Sequence, residues 1–238
     1  LRKELNSDID AEVEINEDNI YEVVCPRGHK TVTRLQQQNF EILFDLAAMA
    51  LLDGYTKEAV SGLSSSIEKF LEFYILVISI ENDVDMNKYL EYRKITNLSE
   101  RQLGAYFTLR LLNKKNIYWD KKMVSLRNDV IHKGYIPKTE QAIEYGEYAL
   151  KLIMQSLKEL QSENSKALRR ATFINLKSNS DKIEQNVAIS TAGMPTILNL
   201  GSLDISHFAD RNVTFREALR SISKNSLYKH FYKKNIDL

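Results

Sequence analysis

A mainly helical fold is what this sequence predicts: a bundle of four to five helices, a small N-terminal β-hairpin and a small α/β C-terminal extension. Eight glycines and three prolines in 238 residues leave long stretches without a helix breaker. From Leu35 to about residue 170, apolar residues recur at helical spacing. Both ends instead carry short runs of β-favouring residues set between turn residues. These observations divide the chain into an acidic lead-in and hairpin over 1–34, a bundle over 35–170, and a linker with the small extension over 171–238.

Residues 1–19 are rich in Asp, Glu and Asn and offer little to bury, which predicts a frayed lead-in. Ile20 to Cys25 favours a strand, Pro26-Arg27-Gly28-His29 supplies a turn, and Lys30 to Thr33 returns as a second strand. Phe40, Leu43, Phe44, Ala47, Ala48, Leu51 and Leu52 then mark a helix that Asp53-Gly54 closes. Thr56 is placed to cap a second helix, with Glu58 in its first turn and Leu63, Phe70, Tyr74 and Val77 on its buried side. That helix runs out at Glu81-Asn82-Asp83.

Shorter helices are expected over Met86 to Thr96 and Ser99 to Leu112, with Ser99 and Gln102 as a capping box for the latter. Tyr118 to Lys133 carries an apolar stripe of Trp119, Met123, Leu126, Val130 and Ile131; Gly134 stops it and Pro137 follows. A long helix runs from about Thr139 through Leu160 and on towards Leu168. Ser178 to Gln185 reads as a polar linker. Val187 to Ser190 and Pro195 to Leu198 read as a second hairpin, and Phe215 to Ile222 as a short amphipathic helix.

Composition narrows the function classes. Net charge is +1 and the pI about 7.9, so bulk electrostatics would hold nucleic acid weakly, and any such work falls to a local site. Cys25 is the single cysteine, which rules out an intrachain disulfide and fits a reducing compartment. The longest apolar run, Phe73 to Ile80, is far short of the roughly 20 residues that a membrane span needs. Leu1 to Asp18 lacks the basic and apolar blocks of a signal peptide. A cytoplasmic protein is the expectation.

The stretch that carries chemistry is Arg127-Asn128-Asp129-Val130-Ile131-His132, followed by Lys133-Gly134-Tyr135-Ile136-Pro137. An Arg with Asn directly after it, three residues and a His, near the end of one helix with a long helix after a short loop, resembles the HEPN family (higher eukaryotes and prokaryotes nucleotide-binding). The resemblance covers roughly residues 40 to 165. It implies a compact helical bundle, frequently a homodimer with the two motif helices facing each other. Many members are metal-independent endoribonucleases; others have lost catalysis and serve as nucleotide-binding or assembly modules. Arg127, Asn128 and His132 would then be catalytic, RNA the substrate, and no metal or cofactor required. A toxin-like or antiviral defence effector is the implied role, and a regulatory or antitoxin-like protein a candidate partner.

The residue types suit that chemistry. Metal-free RNA cleavage uses the ribose 2′-hydroxyl as nucleophile and needs a proton acceptor, a proton donor and a cation at the phosphate. Imidazole can give or take a proton near neutral pH. Guanidinium offers a fixed fork of donors to phosphate oxygens. At about 100° per residue Asn128 and His132 share a face, whereas Arg127 lies about 140° from His132 and must reach round the helix. One helix is thus an awkward complete site, and a facing copy would close it. The competing reading is electrostatic: basic residues are favoured in a last helical turn, and Arg127, His132 and Lys133 all lie near one.

Other candidates surround the motif. Lys121, Lys122 and Lys133, with Lys114, Lys115 and Lys138, could guide a phosphate backbone, or simply form a wet helix face. Glu68 and Glu72 could hold Arg127 or His132; an exposed acidic edge, pairing with Lys69 or with nothing, is the favoured reading of both. Cys25-Pro26-Arg27-Gly28-His29 resembles half a zinc site. No second cysteine exists, and His29, His132, His207 and His230 lack ligand spacing, so a tight turn is expected there. The basic, aromatic stretch from Tyr228 to Lys234 could stack on bases or dock on the bundle.

Overall fold

The hairpin forms as its composition dictates. Strand β1 (Ile20–Val24) pairs antiparallel with β2 (Lys30–Leu35), Val23 opposite Thr31, and Gly28 takes φ +82° in the turn between them. The structure is a computed structural model that describes residues 13–16, 18–24, 27–96, 98–177, 187–200 and 213–224. Cys25 and Pro26, the linker over 178–185, most of the lead-in and the stretch over 228–234 lie outside the described residues.

Helices α1 (Asn39–Leu52) and α2 (Thr56–Glu81) follow with the expected bounds, joined where Gly54 takes φ +88°. They pack tightly: a Cβ added at Gly62 would lie 2.9 Å from Cβ of Ala47, so the close approach depends on that glycine. Thr56 does not cap α2. Tyr55 holds the cap position, and the Thr56 hydroxyl instead donates to the carbonyl of Pro137, 2.7 Å away. Ser99 likewise makes no capping box: α4 (Ser99–Leu112) has Leu98 at its cap position, and buried Gln102 donates to Glu72. Between them, α3 (Met86–Ile95) starts on Asp85, whose carboxylate accepts from the backbone of Asn87 and Lys88.

Helices α5 (Lys121–Lys133) and α6 (Thr139–Glu163) complete the bundle around α2, which touches α1, α4, α5, α6 and the next helix, α7 (Ser165–Lys177). The continuous helix expected through Leu168 breaks at Asn164. There one residue closes α6, its N–H on the Leu160 carbonyl, and opens α7, its own carbonyl accepting from Leu168. Ile131 and Trp119 also depart from the expected stripe of α5. Ile131 is 40% exposed, and Trp119 precedes the helix and packs edge-on against Phe107.

The expected second hairpin is not what forms. Strand β3 (Ala188–Ala192) pairs parallel with β2, Val32 opposite Ile189, in the order β1-β2-β3. Residues 195–198 carry no strand. The free edge of β2 is the stronger template, and two buried carboxylates of α1 claim the backbone that a return strand would have used. Glu41 accepts from the Thr196 hydroxyl and the Leu200 N–H, Asp45 from the Ile197 N–H, and the Gln37 amide bonds both polar atoms of the Met194 backbone. Helix α8 (Phe215–Lys224) buries Phe215, Ala218, Leu219 and Ile222 against α1 and α6. Phe215 meets Phe44 edge-on and fills the space beside Gly146, where a Cβ would lie 2.1 Å from the ring. Among the described residues no helix is long and apolar enough to cross a membrane.

Burial raises the Glu41 carboxyl above its ordinary value of 4.5, against the bonds from Gln38, Leu200 and Thr196 that favour its charge. Above pH 4.5 the folded protein therefore retains a proton that the unfolded chain releases, and stability from this group falls as pH rises through the folded value. Glu41→Gln removes the titration. Urea unfolding from pH 4.5 to neutrality should show wild type losing stability more steeply than Glu41→Gln; parallel profiles would contradict this.

Candidate active site

Helix α5 is positioned at both ends. Asp120 caps its start, accepting from the backbone of Lys122 and Met123 at 2.8 and 3.3 Å. At its end Gly134 takes φ +69°, and the N–H groups of Gly134 and Tyr135 both close on the Asp129 carbonyl. Met123, Leu126 and Val130 face the core. The α5–α6 connection is tied to the start of α2 by the Thr56–Pro137 bond, and to α6 by the Tyr135 hydroxyl and the Lys138 N–H, both donating to Gln141.

The loop leading into α5 is held by a buried cation. Arg110 has no solvent exposure; it donates to both oxygens of Glu159 and, through Nε and Nη2, to the Asn116 carbonyl. Its guanidinium lies 4.9 Å from the Tyr118 ring centroid, 5.7 Å from that of Tyr106 and 5.9 Å from that of Tyr74. Tyr118 in turn donates to Glu159 at 2.9 Å. Burial is the largest single effect on Arg110 and opposes its charge, but the bonds and charge of Glu159 together with the neighbouring Tyr106 and Tyr74 outweigh it and push the pKa up.

Arg127, Asn128 and His132 come together. Arg127 Nη1 donates to Asn128 Oδ1 at 3.1 Å and lies 3.3 Å from His132 Nε2, while Nη2 donates to Glu68 Oε1 at 2.8 Å. The guanidinium does reach round the helix, and it stands as the bridge between the other two side chains. Guanidinium has no acceptor, so a hydrogen bond at the 3.3 Å contact places the lone pair on Nε2 and the proton of a neutral ring on Nδ1. Asn128 and His132 are exposed, and the Arg127 side chain is one-fifth exposed.

Behind this cluster, Ser64 and Tyr145 share a buried hydrogen bond of 2.8 Å. Ser64 donates its proton to the Val60 carbonyl, so Tyr145 is the donor to Ser64. Burial pushes the Tyr145 pKa up to about 12, with smaller opposed effects from the bond to Ser64 and from the nearby charges of Arg127 and Glu68. Tyr145 therefore stays protonated at neutral pH and is not a base for this site.

The lysines divide. Lys122 pairs with Glu144 at 2.7 Å and Lys133 with Asp129 at 2.7 Å, while Lys121 is exposed in the first turn of α5. Lys121 and Lys133 stand about 18 Å apart along the helix axis, at 1.5 Å per residue. Of the two acidic candidates on α2, Glu68 holds Arg127, against the favoured reading. Glu72 pairs with Lys69 as expected, and also with Arg93. Ser64 and Tyr145 were not singled out from sequence; a serine and a tyrosine at core positions signal only that each hydroxyl must find a partner. Among the described residues no three His, Cys, Asp or Glu side chains are grouped to hold a metal ion.

No family model, curated protein or solved structure matches this chain.

The two arginines should respond differently to loss of a partner. Removing the partly exposed Glu68 (Glu68→Ala) should cost no more than about 1 kcal/mol in chemical denaturation, because water screens the pair. Arg110→Ala leaves Glu159 with the Tyr118 hydroxyl alone, removes both donors to the Asn116 carbonyl and empties a packed space, and should cost about 3 kcal/mol.

Proposed function

We propose that this chain is a metal-independent endoribonuclease whose centre is Arg127, Asn128 and His132. The observation that carries the reading is the 3.3 Å approach of the Arg127 guanidinium to His132 Nε2, with Glu68 fixing the far nitrogen. A cation and a proton-transfer group then meet at an exposed helix end. The resemblance to HEPN ribonucleases rests on the same three residues.

In the resting cluster, Nη1 is shared between Asn128 and His132. A phosphodiester oxygen entering the fork takes that donor and releases the lone pair on Nε2. The imidazole removes the 2′-hydroxyl proton, the 2′-oxygen attacks phosphorus, and the bond to the 5′-oxygen breaks. That oxygen leaves with a proton from an acid, giving a 2′,3′-cyclic phosphate and a 5′-hydroxyl. Arg127 neutralises charge on the non-bridging oxygens, and Glu68 keeps its fork oriented. One copy offers one imidazole for two proton transfers, so a facing copy supplies the second. Ile131 and Ile136, 40% and 72% exposed beside the motif, give that pairing an apolar surface. Lys121, Lys122 and Lys133 guide the RNA backbone. The setting is the cytoplasm, the role a toxin-like or antiviral effector, restrained by a regulatory partner.

One observation favours a second reading. Nη1 of Arg127 is already engaged by Asn128 and His132 and Nη2 by Glu68, an arrangement that also suits a non-catalytic corner in an interaction or nucleotide-binding module.

The readings separate on total RNA incubated in EDTA. The nuclease should cleave undiminished, leave cyclic phosphate ends, and lose at least about a hundredfold in rate in both His132→Ala and Arg127→Ala, with helical circular dichroism retained. Intact RNA with the wild-type dimer, or full activity in His132→Ala, would leave the second reading.

A further inference from the structure

Away from the motif, a cavity of about 710 Å³ opens between β1–β2, α1, α2, α3 and the end of α7. That volume lies within the roughly 300–1,000 Å³ of small-molecule sites. Phe40, Phe73, Leu76 and Tyr89 give it a buried apolar wall, and Leu46 and Leu90 line it while 38% and 46% exposed.

Among the described residues that line it, cations outnumber carboxylates. Arg34, Lys69 and Arg93 line the cavity against Asp18 and Glu72. Glu72 serves three donors at once: Lys69 at 3.0 Å, Arg93 at 3.4 Å and the Gln102 amide at 3.0 Å. One carboxylate cannot neutralise an ammonium and a guanidinium together. The side chains of these two cations remain 44% and 56% exposed. Asp18 is engaged by a partner of its own, and Arg34 donates to the Leu176 carbonyl.

We propose that this cavity binds a small amphipathic anion, a carboxylate carrying an alkyl or aryl body. The body packs against Phe73 and Leu76 and covers Leu46 and Leu90, removing their exposed apolar surface from water. The carboxylate sits between Lys69 and Arg93 and supplies the charge that Glu72 alone does not. The binding is independent of the motif on α5, which contributes no residue to the lining.

Octanoate tests this, with octanol as its uncharged counterpart, both titrated calorimetrically into the full chain. Octanoate should saturate a single site and bind about tenfold more tightly than octanol. Arg93→Glu and Lys69→Glu, at exposed positions, should each weaken octanoate about tenfold and leave octanol unchanged. Leu90→Trp should exclude both, and Arg127→Ala should change neither. Absence of saturable binding, equal affinity for octanoate and octanol, or undiminished octanoate binding by folded Arg93→Glu would each overturn the proposal. So would loss of octanoate binding in Arg127→Ala, which would move the anion to the motif.

Discussion

Between Phe70 and Ile80, α2 shows water little beyond Glu72 and Ser79, and the surrounding helices are placed by having to cover it. A helix apolar on all sides adheres to any neighbour and selects none. Selection comes from its polar side chains, each of which addresses a different element. Ser66 donates to the Phe40 carbonyl of α1, Ser64 takes the Tyr145 hydroxyl of α6, and Glu68 takes Arg127 of α5. Glu72 takes Arg93 of α3 and Gln102 of α4. Apolar burial supplies most of the adhesion, and four side chains over nine residues supply the registers.

That division explains how a motif on a short helix acquires a defined geometry. Three buried apolar residues hold α5 to the bundle, too few to fix its rotation. The Glu68–Arg127 pair sets the rotation, while Gly134 and the Thr56–Pro137 bond set where the helix stops. The start is set from the other side, because Arg110 anchors the Asn116 carbonyl a few residues before the Asp120 cap. A basic cluster at this helix end also sits where the peptide dipoles favour positive charge, so the fold imposes little electrostatic penalty on gathering it.

Periodicity made the helices legible. The bounds of α1 and α2, the stop at Gly134, and the α8 stripe of Phe215, Leu219 and Ile222 can all be read from spacing and helix-stop residues. Cap chemistry was not legible at Thr56 and Ser99, because a hydroxyl at a helix start serves equally as a tertiary donor. Glu41 and Asp45 were invisible for the opposite reason: charged residues on a helix imply a wet face until a distant backbone arrives to use them. The meeting of Arg127 with His132 was expressible as a spacing, but its partner Glu68 stands 59 residues away, and no local pattern distinguishes it from Glu72.

The parallel pairing of β2 with β3 joins residues that bracket the entire bundle, Leu35 standing opposite Ala192. The hairpin of β1 and β2 is local, but the third strand has no partner in position until the intervening helices have collapsed. Sheet completion is thus a high-contact-order event that follows helix packing, and it clasps the two ends of the bundle together. All five residues of β3 are exposed and, among the described residues, a single strand pairs with it, so this seam rather than the helical core is where sub-global opening begins.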